Sequence, residues 1–331
     1  QDETLGDNAT YAPPIYHLFL DEAYKIADRV ELIHPARFLF DAGSTPKEWN
    51  RKMLSDEHLR VLFYNAISKE IFPGKDIKGG IAITYHDNTS NFGAIEHFIV
   101  FEELRSISEK VNHRPYESLS TIIYAAESYR FTDKLHEDHP NIEALLSKGH
   151  KYDLKTSVLE NLDNIVFFQD KPLDGVYVQI LGLVKANRTF KWIKGEYIRA
   201  PKNFEKWKVF VPGANGSGAL GEVLSTPLIG QPLIGHTQTF ISIGCFEEKE
   251  EAENLLKYVK TKFCRVMLGI LKITQHNPAP KWKYVPLQDF TVNSDIDWSQ
   301  SVAGIDRQLY AKYGLDEREI EFIETHVKEM K

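Results

Sequence analysis

The segment whose composition most invites chemistry is Gly213-Ala214-Asn215-Gly216-Ser217-Gly218, between Val209-Phe210-Val211 and Ala219-Leu220-Gly221-Glu222. Four glycines within nine residues let backbone N–H groups approach an anion closely, with Asn215 and Ser217 as side-chain donors. Phosphate or DNA-backbone contact is one reading, and a tight structural turn is the other. The spacing fits neither the dinucleotide fingerprint nor the phosphate loop of nucleotide hydrolases. An enzyme acting on a phosphate ligand here would need nearby acids or bases, and the neighbouring sequence offers only Glu222 and His236.

Charge supplies a second candidate. Residues 185–208 hold eight basic residues (Lys185, Arg188, Lys191, Lys194, Arg199, Lys202, Lys206, Lys208) against Glu196 and Glu205, a net of +6. Phe190, Trp192, Tyr197, Phe204 and Trp207 are interleaved with them, a composition suited to phosphates plus stacking. Strand alternation, with aromatics inward and lysines outward, accounts for it equally. Lys257, Lys260, Lys262 and Arg265 suggest a solvated basic helix face, one that also suits DNA. His136-Glu137-Asp138-His139 sets four ligand types side by side, readable as a metal loop or as a solvated polar turn. His-Glu-x-x-His, paired Cys-x-x-Cys and Gly-x-Ser-x-Gly are absent.

These residues need elements to position them. Apolar spacing predicts a helix over 15–29, a strand over 30–33, a helix over 46–56 entered through Ser44 or Thr45 and Pro46, and strands over 59–64 and 80–85. That order is half of an open α/β sheet. Helices are expected over 117–127 and 142–146. Short strands over 176–181, 189–193, 207–211 and 239–243, separated by Gly, Pro and Asn turns, mark a β-rich second domain. The spacing over 248–272 predicts one long amphipathic helix. Two more close the chain, one with Ile305, Leu309 and Tyr313, the other with Ile320, Ile323 and Val327, and Gly314 stands between them as a terminator.

With 331 residues the chain is long enough for two domains. No apolar run approaches the ~20 residues needed to cross a bilayer. The acidic Gln1-Asp2-Glu3 start is unlike a secretory signal, and two cysteines, Cys245 and Cys264, suit a reduced cytoplasm. Net charge is −7, which taken whole argues against nucleic acid, but the charge is segregated. Residues 254–283 carry seven bases and no acid, whereas 284–331 carry ten acids and five bases.

Several segments in order resemble the adenine-specific DNA methyltransferases of type IIG-like restriction-modification enzymes. His34-Pro35-Ala36-Arg37-Phe38-Leu39, Trp49-Asn50-Arg51-Lys52-Met53-Leu54 and Ile71-Phe72-Pro73-Gly74-Lys75-Asp76-Ile77-Lys78-Gly79-Gly80 resemble late methylase motifs. Val209 to Gly218, Thr237-Gln238-Thr239-Phe240, Lys260-Thr261-Lys262-Phe263 and Leu309-Tyr310-Ala311-Lys312-Tyr313-Gly314-Leu315 resemble the target-recognition region.

The resemblance implies the C-terminal half of a doubly wound methyltransferase sheet over 1–105 and an α+β DNA target-recognition domain, ending in helices, over 106–331. An amino group inside a duplex cannot reach a methyl donor, so such enzymes flip the adenine into a pocket. By position, Phe72 looks like the aromatic that stacks on the flipped base, and a core phenylalanine at a strand-to-turn junction is its other reading. The family's Asn-Pro-Pro-aromatic tetrad and glycine-rich donor loop are not in this sequence, and Ala12-Pro13-Pro14-Ile15-Tyr16 lacks the Asn. The expectation is therefore a chain that starts just after the tetrad, with S-adenosylmethionine bound by the intact enzyme rather than by this chain. Its implied partners are double-stranded DNA and an N-terminal methylase portion, with a fused nuclease as a family trait. Base edges are read through Arg, Lys, Asn and Gln, which makes Arg130, Asn215, Gln231 and Gln238 the candidates. A stand-alone DNA-specificity module is the alternative.

Overall fold

A computed structural model describes residues 14–41, 44–75, 77, 79–216, 219–272 and 275–330. The chain divides into two compact units, one up to Val100 and one from Phe101. The division precedes helix Glu102–Asn112, which spans the boundary expected at 105 and which the apolar spacing did not flag.

The first unit runs α1 (Tyr16–Ile26), β1 (Arg29–Pro35), α2 (Lys47–Leu54), β2 (Leu59–Asn65), α3 (Ser68–Ile71) and β3 (Ile81–Asp87). Its strand order is β1-β3-β2, and both pairings are antiparallel. Strands β1 and β2 therefore run the same way, joined by a helical crossover, while β3 returns between them. The expected half-sheet is thus three strands in which no two neighbours pair in parallel. On its inner face Ala82 packs with Leu20, Phe38, Trp49, Met53 and Leu59. Some polar groups inside are matched: His34 Nε2 meets Thr84 Oγ1 at 2.8 Å, and Trp49 Nε1 donates to Asp21 Oδ2 at 3.0 Å. Asn50 is fully buried between Thr45 and Asp41. Pro46 occupies the cap position of α2 with no side-chain cap bond. Thr45 spends its hydroxyl on Asn50 instead.

The second unit continues with α4 (Glu102–Asn112), β4 (Ile123–Tyr124), β5 (Arg130–Phe131), α5 (Asp133–Asp138), α6 (Val158–Asn161), β6 (Tyr177–Val184), β7 (Asn187–Lys194), β8 (Ile198–Arg199) and β9 (Trp207–Pro212). Then come β10 (Leu228–Gly230), β11 (Ile234–His236), β12 (Phe240–Phe246), α7 (Lys249–Lys260), α8 (Lys262–Gly269), α9 (Val302–Tyr313) and α10 (Glu317–His326). Its strands form a β10-β9-β12-β4 sheet, a β11-β6-β7 sheet and a β5-β8 pair. Helix α7 packs on β9, β10 and β12. Phe210 and Phe240, from the first sheet, meet Leu181 of the second.

Two helix expectations are corrected. Over 117–127 the chain forms two short 3₁₀ turns around β4, because Ile123 is drawn into pairing with Ile243 of β12. The single helix expected over 248–272 is two, broken at Thr261 (φ −59°, ψ 149°). Thr261 Oγ1 accepts from Cys264 N at 3.1 Å, and the buried Asp306 carboxylate accepts from Lys262 N and Phe263 N at 3.0 and 2.9 Å. Three of the four orphan donors of a new helix start are satisfied there. Apolar spacing is blind to this because α8 resumes on the same buried side. Gly314 ends α9 at φ +66°, a conformation that costs a side chain about 1–2 kcal/mol. Ser301 caps that helix, and Asp316 with Glu319 forms a capping box on α10.

Candidate nucleic-acid interface

The β6–β7 hairpin turns through Lys185 and Ala186 at φ +47° and +65°, the geometry of a two-residue type I′ turn that normally takes Asn or Gly. Glu160 Oε1 holds the turn by accepting from Lys185 N at 2.6 Å, and Lys185 is exposed. Beside the tip lies an open groove of about 440 Å³ lined by Lys155, Thr156, Ser157, Glu160, Leu183 and Ala186, with Ser147.

From this groove a run of contacts crosses the surface. Thr239 Oγ1 donates to Thr156 Oγ1 at 3.2 Å, Gln238 N donates to Leu154 O at 2.8 Å, and Gly213 N donates to Thr239 O at 2.8 Å. Next to Leu154, Asp153 pairs with Arg130 Nη2 at 3.0 Å and with His150 Nδ1 at 2.7 Å. Arg130 lies directly across from Arg199 in the β5–β8 pair. The strip from Lys185 through Lys155, Thr156 and Gln238 to Arg130 and Arg199 therefore gathers residues distant in sequence. It brings together three of the expected residues, Lys185, Arg130 and Gln238. Arg199 was counted only as charge, and Lys155 and Thr156 lie where the sequence pattern is weakest.

The other expected residues sit elsewhere or face inward. Lys191 is buried, donating from Nζ to Asp163 Oδ1 at 2.5 Å and to Leu159 O at 3.1 Å. This reverses the expected alternation: Lys191 and Ile193 point into the core, while Phe190 packs on the far side with Phe210 and Phe240. Arg188 spends both terminal nitrogens, at 2.5 Å each, on Thr226 O and Ser225 O. It braces a loop where Thr226 takes φ +40°. Lys194 lies half-buried over the Tyr197 ring. Gln231 is exposed, and its carbonyl accepts from the buried Lys208.

The glycine-rich loop is anchored from beneath. Asn215 is buried, its Nδ2 donating to Val223 O at 2.8 Å and its Oδ1 accepting from Asn277 Nδ2 at 2.6 Å. Both ends of the amide are used within the chain, as a structural turn requires. Ser217, the second donor expected there, lies outside the described residues, as does neighbouring Gly218.

Two buried bases underlie this face. Lys208 is fully buried and donates to Phe204 O, Lys206 O and Gln231 O, each at 3.0 Å; burial pushes its ammonium down to about 7. His236 is likewise enclosed, against Tyr129 and Phe210, and burial lowers it to about 4. The basic helix face is also engaged. Lys257 donates to Trp298 O, Lys262 pairs with Glu324, and Arg265 is buried with donors on Lys260 O, Thr261 O and Gly221 O. In the His136–His139 run, His136 contacts Lys151 O and Asp138 accepts from Lys134 and Tyr197. Among the described residues no cluster of three or more His, Cys, Asp or Glu is arranged for a metal. Cys245 is exposed and Cys264 buried, both free thiols. No helix among the described residues is long and apolar enough to cross a membrane.

In the first unit, Phe72 follows α3 and is 39% exposed rather than part of the core. Ser68 staples its loop, donating from Oγ to Lys75 O at 2.9 Å and accepting from Ile77 N at 2.7 Å. Gly80 closes the loop at φ +80°, where an added Cβ would stand 2.3 Å from Asn65 O. The turns after β1 and β2 begin Ala36-Arg37 and Ala66-Ile67.

Residues 1–72 match the family model described as Eco57I restriction-modification methylase, so this part of the chain is similar to restriction-modification methylases. No curated protein matches the chain. Among solved structures, the type IIG restriction endonuclease BpuSI aligns with 11% identity and a TM-score of 0.34, over 94% of this chain and 48% of that one. The chain thus spans about half the length of that enzyme.

Proposed function

We propose that this chain is part of a restriction-modification DNA adenine methyltransferase, in which the first unit supplies target-base pocket elements and the second reads the DNA. The observation that carries this reading is the match of residues 1–72 to restriction-modification methylases. On this reading Phe72, an exposed ring on a stapled loop, stacks on the flipped adenine, since a base presents its π-face to an aromatic whatever its edge pattern. S-adenosylmethionine serves the intact enzyme. This chain's own part, on this reading, is the target base and its surroundings.

On this reading DNA contact falls to the strip from Lys185 to Arg199, with Gln238 meeting base edges, Lys185 and Arg130 meeting phosphates, and Lys194, off the strip over the Tyr197 ring, adding a further cation. Gln231 remains an outlying candidate contact. The buried Lys191 and Asn215 and the engaged Arg188 hold the reader's shape instead.

An electrophoretic shift with a mixed duplex pool over a salt series tests the reading. Binding should weaken steeply as salt rises, and further when Lys185 and Lys194 are changed to Ala. No shift at low salt would remove the DNA-reading role from this chain.

A further inference from the structure

Arg130 and Arg199 face each other across the β5–β8 pair, and like charges placed directly opposite destabilise a strand pair. Among the described residues only one of them has a carboxylate partner. Arg130 has Asp153, but that carboxylate is shared with His150 and, at 3.8 Å, with Lys155. Arg199 is exposed and has no ion-pair partner among the described residues. Arg130 Nε is buried with no acceptor.

Beside this strand pair opens a hollow of about 460 Å³, lined by Arg130, Phe131, Thr132, Asp133, Tyr152 and Arg199. That volume lies in the range of small-ligand sites, ~300–1,000 Å³. Its one lining acid, Asp133, already accepts from Tyr152 Oη at 2.6 Å. Adjacent arginine forks with spare donors match the paired acceptor oxygens of a phosphate group.

We propose that this hollow is a phosphate-group site that holds one phosphodiester of the DNA backbone, with Arg199 as the principal contact and Arg130 as its second donor. It rests on the DNA-binding reading above and adds to it a fixed point that sets the duplex's position without reading sequence.

The test compares the wild-type chain with Arg199→Ala and Arg199→Lys on a random duplex pool between about 50 and about 200 mM salt. Arg199→Ala should weaken binding about tenfold at the lowest salt, equally across sequences, and reduce the slope of log affinity against log salt by about 1. Arg199→Lys should recover part of the affinity, since the charge remains while the planar fork is lost. Because Arg199 is exposed and faces a like charge, Arg199→Ala should not lower the melting temperature. Wild-type affinity and slope in Arg199→Ala would overturn the phosphate site while leaving the DNA reading intact. A loss confined to particular sequences would also overturn it, indicating a base-edge contact. Failure of the wild-type chain to bind at low salt would remove both.

Discussion

Two stretches of this chain are strongly basic, 185–208 and 254–283, and the fold treats them differently. The second meets the acidic tail that follows it: Lys262 pairs with Glu324, the Asp306 carboxylate accepts the first backbone N–H groups of α8, and Lys257 is bonded to Trp298 O. Arg265 and Lys272 are drawn inside, the latter beside Glu222. The first stretch also sends two cations inward, Lys191 and Lys208, but leaves Lys185 and Arg199 exposed. A run of positive charge in a sequence is thus not a run of positive surface. Whether carboxylates and carbonyls elsewhere in the chain meet it decides which face can hold phosphate.

The largest effect expected from breaking this contrast is on stability. Arg265→Ala should cost about 4 kcal/mol, because it empties a buried site and leaves the carbonyls of Lys260, Thr261 and Gly221 without their donor. A denaturant midpoint unchanged from wild type would mean that the second stretch is not structurally committed as described.

Acid should act through the core beneath the first stretch. Folding holds His236 neutral with its affinity for protons lowered from 6.5 to about 4, so the unfolded chain binds the extra proton in that window. Stability therefore falls as pH falls from 6.5 toward 4, by about 3 kcal/mol in all. Denaturation at three pH values should show wild type losing more than His236→Gln. Parallel losses in the two would contradict the assignment.

The contrast sharpens most directly in binding. Lys185→Ala should reduce duplex affinity about fivefold at low salt, whereas Lys257→Ala, on the engaged helix, should leave it unchanged at equal protein stability. Equal losses would make the two stretches equivalent partners of DNA. The smallest expected effect is a gain: Ala186→Gly relieves a side chain held at φ +65° and should stabilise the chain by about 1 kcal/mol without altering binding. A lower melting temperature would show that this turn is not strained.

Much of the framework was legible from residue patterns. The strands expected over 189–193, 207–211 and 239–243 appear as β7, β9 and β12, and the closing helices end and begin at Gly314 and Asp316 as turn and cap chemistry requires. Apolar spacing and capping residues act within one or two turns of chain, so the sequence discloses them locally. The break at Thr261 was also carried by a local cap residue, but its other half is Asp306, more than forty residues on. The inner placement of Lys191 depended on Asp163, and that of Asn215 on Asn277.

What the amino-acid order determined by itself was the strands β7, β9 and β12 and where the last helices stop, because those choices follow from side-chain spacing and end caps, whereas the strand at Ile123 and the break at Thr261 needed partners far along the chain. Which cations remain on the surface, and that Arg130, Arg199, Lys155 and Gln238 lie along one run of contacts, was decided only by tertiary structure. A buried charge is tolerated where acceptors from distant segments converge on it, and no local pattern records where that convergence falls.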